Sequence, residues 1–458
     1  MNPLIQPKTI TSSLLITLTL LCFGLLARAQ GVVPPPDGGY PNFTTAEGTK
    51  ALQNLTTGSA NTGVGWYSLF STAAGSFNTA TGAGALLFNT ADANTAFGAA
   101  ALLFNSTNTN NTAVGAAALL NNTIGEENTA TGAFALSGNT DGDFNTANGA
   151  FALSSNTTGE RNTATGDSAL YNNISGSRNT AHGNAALVVN TTGDDNTAIG
   201  TRALQANNGD SNTAIGAAAL PVNNIGHDNV ATGKGALAAN TTGNFNVAFG
   251  NGALGFNTTG SGNIVLGDGA GGGITTANEV ICIGTSGNNV DNACYIGQIF
   301  GATSSSGVAV FVNSSGRLGT MTSSARFKDD IKPMDEASQA LFALKPVAFR
   351  YKKEIDAAGT SQFGLVAEEV EKVNRDLVVR DKEGKPYSVR YDQVNAMLLN
   401  EFLKAHQTVQ KLKSTSVKQE AMIASQQEQI ERLTAGLQRV SAQLELNKLA
   451  PQMVENND

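Results

Sequence analysis

The chain has 458 residues, of which 51 are glycine, 14% are charged and 6% are aromatic. This composition is unlike that of an average globular enzyme and favours a repetitive chain packed with small residues. Charge is unevenly distributed, because residues 323–458 hold 20 of the 28 Lys and Arg and 20 of the 36 Asp and Glu. Neither part has the basic stripe that phosphate contacts require, so a nucleic-acid partner is not expected.

The N-terminus has the pattern of a signal peptide. Lys8 precedes an apolar run over residues 14–26, and a small-x-small sequence ends at Ala29. The alternative is an uncleaved membrane anchor, but the run is short against the roughly 20 residues that a spanning helix needs. We therefore predict a signal peptide over residues 1–29, cleavage after Ala29 and a secreted or cell-surface protein. No later segment is long and apolar enough to span a membrane as a helix.

A repeat of the form Asn-Thr-Ala-x-Gly-x-x-Ala-Leu fills the middle of the chain. Glycine recurs four places after the first asparagine, and leucine recurs eight places after it from Leu69 to Leu254. A second asparagine follows in most copies, as at Asn156. The thirteen copies are spaced by 16 or 17 residues and start at Asn61, Asn78, Asn94, Asn111, Asn128, Asn145, Asn162, Asn179, Asn196, Asn212, Asn229, Asn246 and Asn263.

A unit this short cannot bury a face by itself, so neighbouring units must stack. The density of glycine and asparagine excludes helices. We predict two short strands per unit, inward-pointing Ala and Leu, and stacked asparagines that bond to turn backbone. The predicted fold is mostly β, with a linker over residues 30–60 and a parallel β-roll or β-helix over residues 61–273.

The repeats resemble the heads of trimeric autotransporter adhesins, which implies a trimeric roll used for adhesion or as a spacer. The sequence does not identify a surface receptor or glycan that the roll would bind. Many copies contain a pair of threonines, such as Thr79 and Thr81, which could form a flat ice-binding array. Ice binding is disfavoured, because the second position of the pair varies to residues such as Phe97 and Val114. Calcium-binding repeats are also disfavoured, because Asp is sporadic. The single histidines His182 and His227 are interpreted as surface residues.

Two cysteines remain after removal of the signal peptide, Cys282 and Cys294. In an oxidising compartment a disulfide between them is plausible. The alternative is two buried thiols on neighbouring strands. No metal-ligand spacing surrounds them, and no metal or cofactor is expected.

Residues 274–322 are predicted as a β connector, with strand-like runs at 279–284 and 308–312. Three motifs follow: Ser-Ser-Ala-Arg-Phe-Lys-Asp-Asp-Ile from Ser323, Ala-Leu-Phe-Ala-Leu-Lys-Pro-Val-Ala-Phe-Arg-Tyr from Ala340, and Gln-Phe-Gly-Leu-Val-Ala-Glu-Glu-Val from Gln362. In order and spacing they resemble the C-terminal intramolecular chaperone peptidase of phage tail spikes and endosialidases. The resemblance implies a small α+β chaperone domain, which we place at residues 323–390.

In that family a serine and a lysine five residues later form a catalytic dyad, and the bond before the serine is cleaved. The resemblance carries these roles to Ser323 and Lys328 and places the cleavage between Thr322 and Ser323. A lysine can serve as the base if burial lowers its pKa. One departure is Ser324, since many phage members have Asp there. The alternative is a folded chaperone domain that does not cut itself.

Beyond Tyr391 the sequence becomes helical, with Asp392 as a candidate cap. Uninterrupted heptads predict a coiled coil over residues 391–447 and a disordered tail over residues 448–458. The a positions are Asn395, Phe402, Val409, Ser416, Ile423, Ile430, Leu437 and Leu444, and the d positions are Leu398, Ala405, Leu412, Gln419, Gln426, Leu433, Val440 and Asn447. Heptads alone do not fix the strand number, but both family resemblances imply a homotrimer.

These features together predict a secreted fibrous surface protein whose C-terminal domain drives trimer assembly and then cleaves the chain before Ser323. The enzyme would be an autocatalytic serine endopeptidase that acts only on itself. The alternative is a structural or adhesive fibre without proteolysis. A glycan-cleaving spike lacks support, because no paired-carboxylate motif stands out from the repeat.

Overall fold

The computed structural model describes residues 41–448. The predicted signal peptide, its cleavage site after Ala29 and most of the predicted tail lie outside the described residues. The chain divides into two compact units between Thr303 and Ser304.

The first unit is a solenoid in which every coil adds one strand to a single parallel sheet. After a 3-10 turn at Pro41–Phe43, strands β1 to β16 pair strictly in chain order. At the usual strand spacing of about 4.8 Å the stack is roughly 70 Å long. The strands are Thr45–Glu47, Thr62–Val64, Thr79–Thr81, Thr95–Phe97, Thr112–Val114, Thr129–Thr131, Thr146–Asn148, Thr163–Thr165, Thr180–His182, Thr197–Ile199, Thr213–Ile215, Val230–Thr232, Val247–Phe249, Ile264–Leu266, Ile281–Ile283 and Cys294–Ile296.

One coil shows how the repeat forms the core. In β7 the middle residue Ala147 is completely buried, while Thr146 and Asn148 on either side face outward. Leu153 enters the same core from the opposite side of the coil and is also fully buried. Because the side-chain period of a strand is two and the register never shifts within the repeat, each Ala and each Leu stacks on its counterpart in the next coil.

Two buried columns of asparagine connect the coils. In the first column Asn162 donates its backbone N–H to Oδ1 of Asn145 at 3.0 Å, and Asn145 Nδ2 donates to the carbonyl of Gly159 at 2.8 Å. In the second column Asn156 Nδ2 donates to Oδ1 of Asn139 at 2.7 Å. These bonds provide partners for buried polar groups of the turn backbone. The predicted asparagine ladder is confirmed.

The glycine four places after each repeat asparagine cannot carry a side chain. Gly166 has φ +130°, and a Cβ placed there would lie 2.7 Å from the carbonyl group of Gly183 in the next coil. Both the backbone conformation and the close approach therefore require glycine. The spacing of this glycine fixes where one coil turns onto the next.

Two details of the predicted roll are wrong. Each coil contains one strand rather than two, because the Ala-Leu segment is a chain of turns in which Phe151 and Leu153 have φ of 57° and 52°. Leu153 N–H still donates to the carbonyl of Ala169 in the next coil, at 2.9 Å. The solenoid is also longer than residues 61–273, since strands within residues 45–47 and 281–296 belong to the same sheet.

The second unit begins with a β-hairpin and continues as a small α+β domain with a long C-terminal helix. The hairpin is β17 (Val310–Val312) with β18 (Leu318–Thr320); β19 (Val347–Phe349) pairs with β20 (Gln362–Gly364), and β21 (Val378–Arg380) pairs with β22 (Pro386–Val389). The helices are α1 (Ala367–Val373), α2 (Tyr391–Lys448) and 3-10 helices at Ala325–Phe327, Asp335–Ala343 and Arg375–Leu377.

The domain has a core of its own. Met334, Ala340, Leu341 and Leu344 pack against its buried residues, which are Val370, Leu377, Val378, Val389, Val394 and Met397. Val394 and Met397 belong to the first turns of α2, so the first turns of the long helix are part of the domain core. Asp392 lies in the first turn of α2 rather than capping it, since the helix begins at Tyr391.

The fold class is as predicted: a parallel β-solenoid, a small α+β domain and one long C-terminal helix. Within the described residues, no helix combines the length and apolarity that crossing a membrane would require.

Candidate active site

A single tight turn brings Ser323 and Lys328 together. Residues 325–327 form a 3-10 helix in which Phe327 N–H donates to Ser324 O and Lys328 N–H donates to Ala325 O, both at 3.1 Å. The turn folds the chain back on itself. As a result Lys328 Nζ donates a hydrogen bond to Ser323 Oγ at 3.1 Å.

The side chains flanking the pair make other contacts. Ser324 precedes the 3-10 helix in an extended conformation, and its hydroxyl makes no capping bond. The Arg326 guanidinium lies 4.5 Å from the centre of the Phe327 ring. Of the two adjacent serines, Ser323 is the one that is hydrogen-bonded to Lys328.

The distance between Lys328 Nζ and Ser323 Oγ is within the reach that proton transfer needs. An unprotonated lysine amine could take the serine proton and leave an alkoxide able to attack a carbonyl. Burial is the usual means by which a protein favours the neutral form of lysine. Every residue from 301 to 333 is exposed in the single chain, so the single chain does not bury Lys328.

A separate polar network docks helix α2 onto the 3-10 helix Asp335–Ala343. Ser338, completely buried, donates to Glu401 Oε1 at 2.5 Å and accepts from Asn400 Nδ2 at 2.7 Å. Lys404 Nζ donates to Glu401 Oε1 at 2.8 Å and to the carbonyl of Asp335 at 2.7 Å. The network ties two turns of the helix to one end of the 335–343 segment.

The contacts of this network shift the pKa values of Glu401 and Lys404. Hydrogen bonds from Lys404 and then from Ser338 lower the pKa of Glu401. The bond to Glu401 raises the pKa of Lys404. The pair is therefore ionised over the neutral range. The sequence interpretation missed this network, although a Glu and a Lys three residues apart on one helix face are a recognisable signal.

Gly364 of the third sequence motif packs directly against the start of α2. A Cβ at this position would lie 2.9 Å from the hydroxyl of Tyr391, and the next residue, Leu365, donates its N–H to that hydroxyl at 3.0 Å. The Gln-Phe-Gly-Leu motif thus closes the domain onto the helix.

Helix α2 has two faces in different environments. Val394, Met397, Glu401 and Lys404 recur at helical spacing and face the domain. The predicted a and d positions lie on another face, where large apolar residues are exposed, among them Leu398, Phe402, Val409, Leu412, Ile423, Ile430, Leu433, Leu437, Val440 and Leu444. A stripe of this length on a solvated helix is typical of a coiled-coil seam.

The proposed disulfide is absent, since both cysteines are free thiols. They lie on adjacent strands, but the register pairs Cys294 with Ile281 and Cys282 with Tyr295. Consequently Cys282 points into the core, where its Sγ donates to Thr285 O at 2.8 Å, and Cys294 points outward. The alternative of two buried thiols is also wrong. The spacing alone could not reveal on which face each cysteine lies.

Comparison with known proteins gives one result for this region. No curated protein and no solved structure matched the chain. The model of the Peptidase S74 family, described as chaperone of endosialidase, matches residues 323–379. The match begins at Ser323 and includes Lys328, the Gln-Phe-Gly-Leu motif and helix α1. The C-terminal domain of this chain is therefore similar to the chaperone of endosialidase.

Proposed function

We propose that this chain is a secreted fibrous protein whose C-terminal domain assembles three copies and then cleaves the Thr322–Ser323 bond. Ser323 would be the nucleophile and Lys328 its base. The observation that carries the proposal is the 3.1 Å hydrogen bond between Lys328 Nζ and Ser323 Oγ at the first residue of the matched segment. In this proposal, the neighbouring copies shield Ser323 and Lys328 from solvent once the chains have assembled.

The chemistry balances with water as the only co-reactant. Ser323 Oγ attacks the carbonyl carbon of Thr322, and its proton passes to Lys328 Nζ. The bond from that carbon to the Ser323 nitrogen breaks, and the nitrogen takes the proton from Lys328. Water then hydrolyses the ester between Thr322 and Ser323 Oγ. The products are a chain ending in the Thr322 carboxylate and a fragment starting with the Ser323 amine.

Helix α2 supports the assembly step. Its domain-facing residues leave the heptad seam free, so copies can associate through the seam without undocking the helix from its own domain. Joining the copies at one end raises their local concentration and favours a parallel register. Exposure of the dyad in the single chain supports cleavage only after assembly, because an exposed lysine amine is a poor base at neutral pH.

The solenoid would be the part of the fibre that remains after the cut. Its sixteen strands have no charged outward residue other than Glu47 and form one continuous stack. Export follows in this proposal from the signal-like residues 1–29. Adhesion through the stack and simple spacing are both compatible with its surface.

Intact mass and N-terminal sequencing of purified full-length chains test the proposal. Wild-type protein should give fragments starting at Gln30 and at Ser323. Ser323→Ala and Lys328→Ala should each remain in one piece. The matched control Ser324→Ala should still be cut, because its hydroxyl does not contact Lys328.

Two results would contradict the protease assignment in different ways. Intact wild-type chains in a folded trimer would leave a chaperone domain without proteolysis. Cutting that persists in Ser323→Ala would indicate another protease acting on the exposed segment before Ser323.

A further inference from the structure

The hairpin β17–β18 has a turn that is fully specified by local contacts. Asn313 Oδ1 accepts the backbone N–H groups of Ser315 and Arg317 at 3.1 and 2.9 Å and the Ser315 hydroxyl at 2.8 Å. Gly316 supplies the left-handed residue of the loop, with φ +81°. The residues of the turn therefore specify its conformation.

The same hairpin has one apolar face with nothing over it. The register opposes Val312 to Leu318 and Val310 to Thr320, so these four residues share a face. Val310, Val312 and Leu318 are 65%, 63% and 64% exposed. Every residue from 304 to 322 is exposed. A two-stranded hairpin without a covered face is marginally stable in water, so this one requires a partner surface.

The surroundings indicate what that partner is. Arg317, in the turn, is the only charged residue between 304 and 322, so charge does not select a foreign partner. Strand β18 ends at Thr320, two residues before the Thr322–Ser323 bond. The proposed cut would thus make the hairpin the last element of the N-terminal product. That product also loses helix α2, which carries the heptad seam.

We propose that the hairpins of the assembled copies pack their 310/312/318 faces against one another and so clamp the N-terminal product together after the chaperone domain leaves. The partner is a second and third copy of this chain. In each hairpin the outer edges of β17 and β18 are unpaired, so neighbouring hairpins can also join edge to edge. The inference rests on the proposed function, because it assumes that α2 gathers the copies first.

The test compares the oligomeric state before and after removal of the tail. A Ser323→Ala chain with a recognition sequence for a site-specific protease inserted after Thr322 is purified and cut with that protease. Sedimentation then measures the uncut chain and the isolated N-terminal product. The double variant Val312→Asp/Leu318→Asp places charges on the face, and Ser305→Asp/Ser314→Asp places the same charges off it.

The uncut chains should all be trimers held by α2. After cutting, the parent and the Ser305→Asp/Ser314→Asp products should stay trimeric at micromolar concentration. The Val312→Asp/Leu318→Asp product should fall to monomers, with association weakened about a hundredfold or more, because unpaired carboxylates would be buried. A trimeric Val312→Asp/Leu318→Asp product, or a parent product that dissociates, would overturn the clamp.

A second measurement tests the same contact without the charged variant, which could fail to fold. In a Cys294→Ser background, oxidation of Leu318→Cys should link copies through disulfides, whereas Ser314→Cys in the turn should link few. Absence of links in Leu318→Cys trimers also overturns the clamp. Monomeric uncut chains would contradict the helix-driven assembly, and with it the clamp, whereas a lack of self-cutting in wild type contradicts only the protease assignment.

Discussion

Asn162 donates its backbone N–H to the side-chain oxygen of Asn145 in the preceding coil at a distance of 3.0 Å, and both residues are completely buried. The same side chain uses its amide to bond the Gly159 carbonyl. One side chain therefore satisfies a donor on one side and an acceptor on the other, which an ionised Asp, having no donor, cannot do. The repeat is thus held together by hydrogen bonds as well as by apolar contacts.

The first prediction follows from that geometry. Asn145→Ala leaves the Asn162 N–H buried without its acceptor and removes one of the two donors to the Gly159 carbonyl, which keeps its bond from Asn156 Nδ2. It should lower the free energy of unfolding by about 1 to 3 kcal/mol. Asn184→Ala is the control, because Asn184 is exposed and bonds only to Asp167 in the neighbouring coil. Chemical denaturation followed by circular dichroism measures both. Equal midpoints would contradict the ladder's role.

The second prediction concerns the leucine column. Leu153→Ala opens a cavity in a fully buried stack and should lower the free energy of unfolding by about 2 to 5 kcal/mol, and Leu153→Asp should do more damage. Glu160→Ser removes only an exposed ion pair with Arg161 and should change stability by less than about 1 kcal/mol. Thermal melting that ranks Glu160→Ser with Leu153→Asp would contradict the inward assignment.

The third prediction is a pH dependence of helix docking. The pKa of Glu401 is lowered in the folded chain from its ordinary value of 4.5, so its contribution is present above about pH 4.5 and is lost as the pH falls through the folded value. The pKa of Lys404 is raised, so its contribution persists through the neutral range and is lost only in strong alkali. Docking should therefore be constant from pH 6 to 9 and should weaken in acid.

Hydrogen exchange of the amides of residues 394–404 measures this docking. Glu401→Gln should remove most of the acid-induced increase in exchange. Glu428→Gln is the matched control, since Glu428 pairs with Arg432 on the exposed part of the same helix. An acid response that is unchanged in Glu401→Gln would show that the network does not hold the helix.

The fourth prediction distinguishes the two thiols. Burial raises the pKa of the Cys282 thiol and hides it from reagents, whereas Cys294 is exposed. A maleimide should add one label per folded chain, on Cys294, and a second only after denaturation. Cys294→Ser should take no label while folded. A mass lower by two hydrogen atoms, with no label before or after denaturation, would instead indicate the disulfide.

Much of the fold could be predicted from sequence because the repeat is dictated locally. The inward Ala and Leu, the asparagine ladder and the heptads of α2 all follow from periodicity. The second strand was wrongly predicted, because Leu153 adopts a left-handed conformation that only the bonds to neighbouring coils stabilise. Bulky residues rarely adopt it, so no local pattern indicates it.

The family resemblance singles out Ser323 and Lys328, and a hydrogen bond joins these two residues across one turn of the chain; their catalytic roles stay a prediction. The Ser338 network could not be predicted, because its members are separated by more than sixty residues. The orientation of Cys282 and Cys294 could not be predicted either, because it depends on the strand register beyond the last copy of the repeat. There the regularly spaced asparagine and leucine residues no longer indicate the register.

The most direct test of assembly-dependent cleavage is the intact mass of the chain as a function of its oligomeric state. Ile423→Asp/Ile430→Asp places charges in the heptad seam, and Ser425→Asp/Ala435→Asp places them outside it. We expect wild type and Ser425→Asp/Ala435→Asp to be trimeric and cut before Ser323, and Ile423→Asp/Ile430→Asp to be monomeric and intact. Complete cutting before Ser323 in a monomeric Ile423→Asp/Ile430→Asp chain would contradict the account.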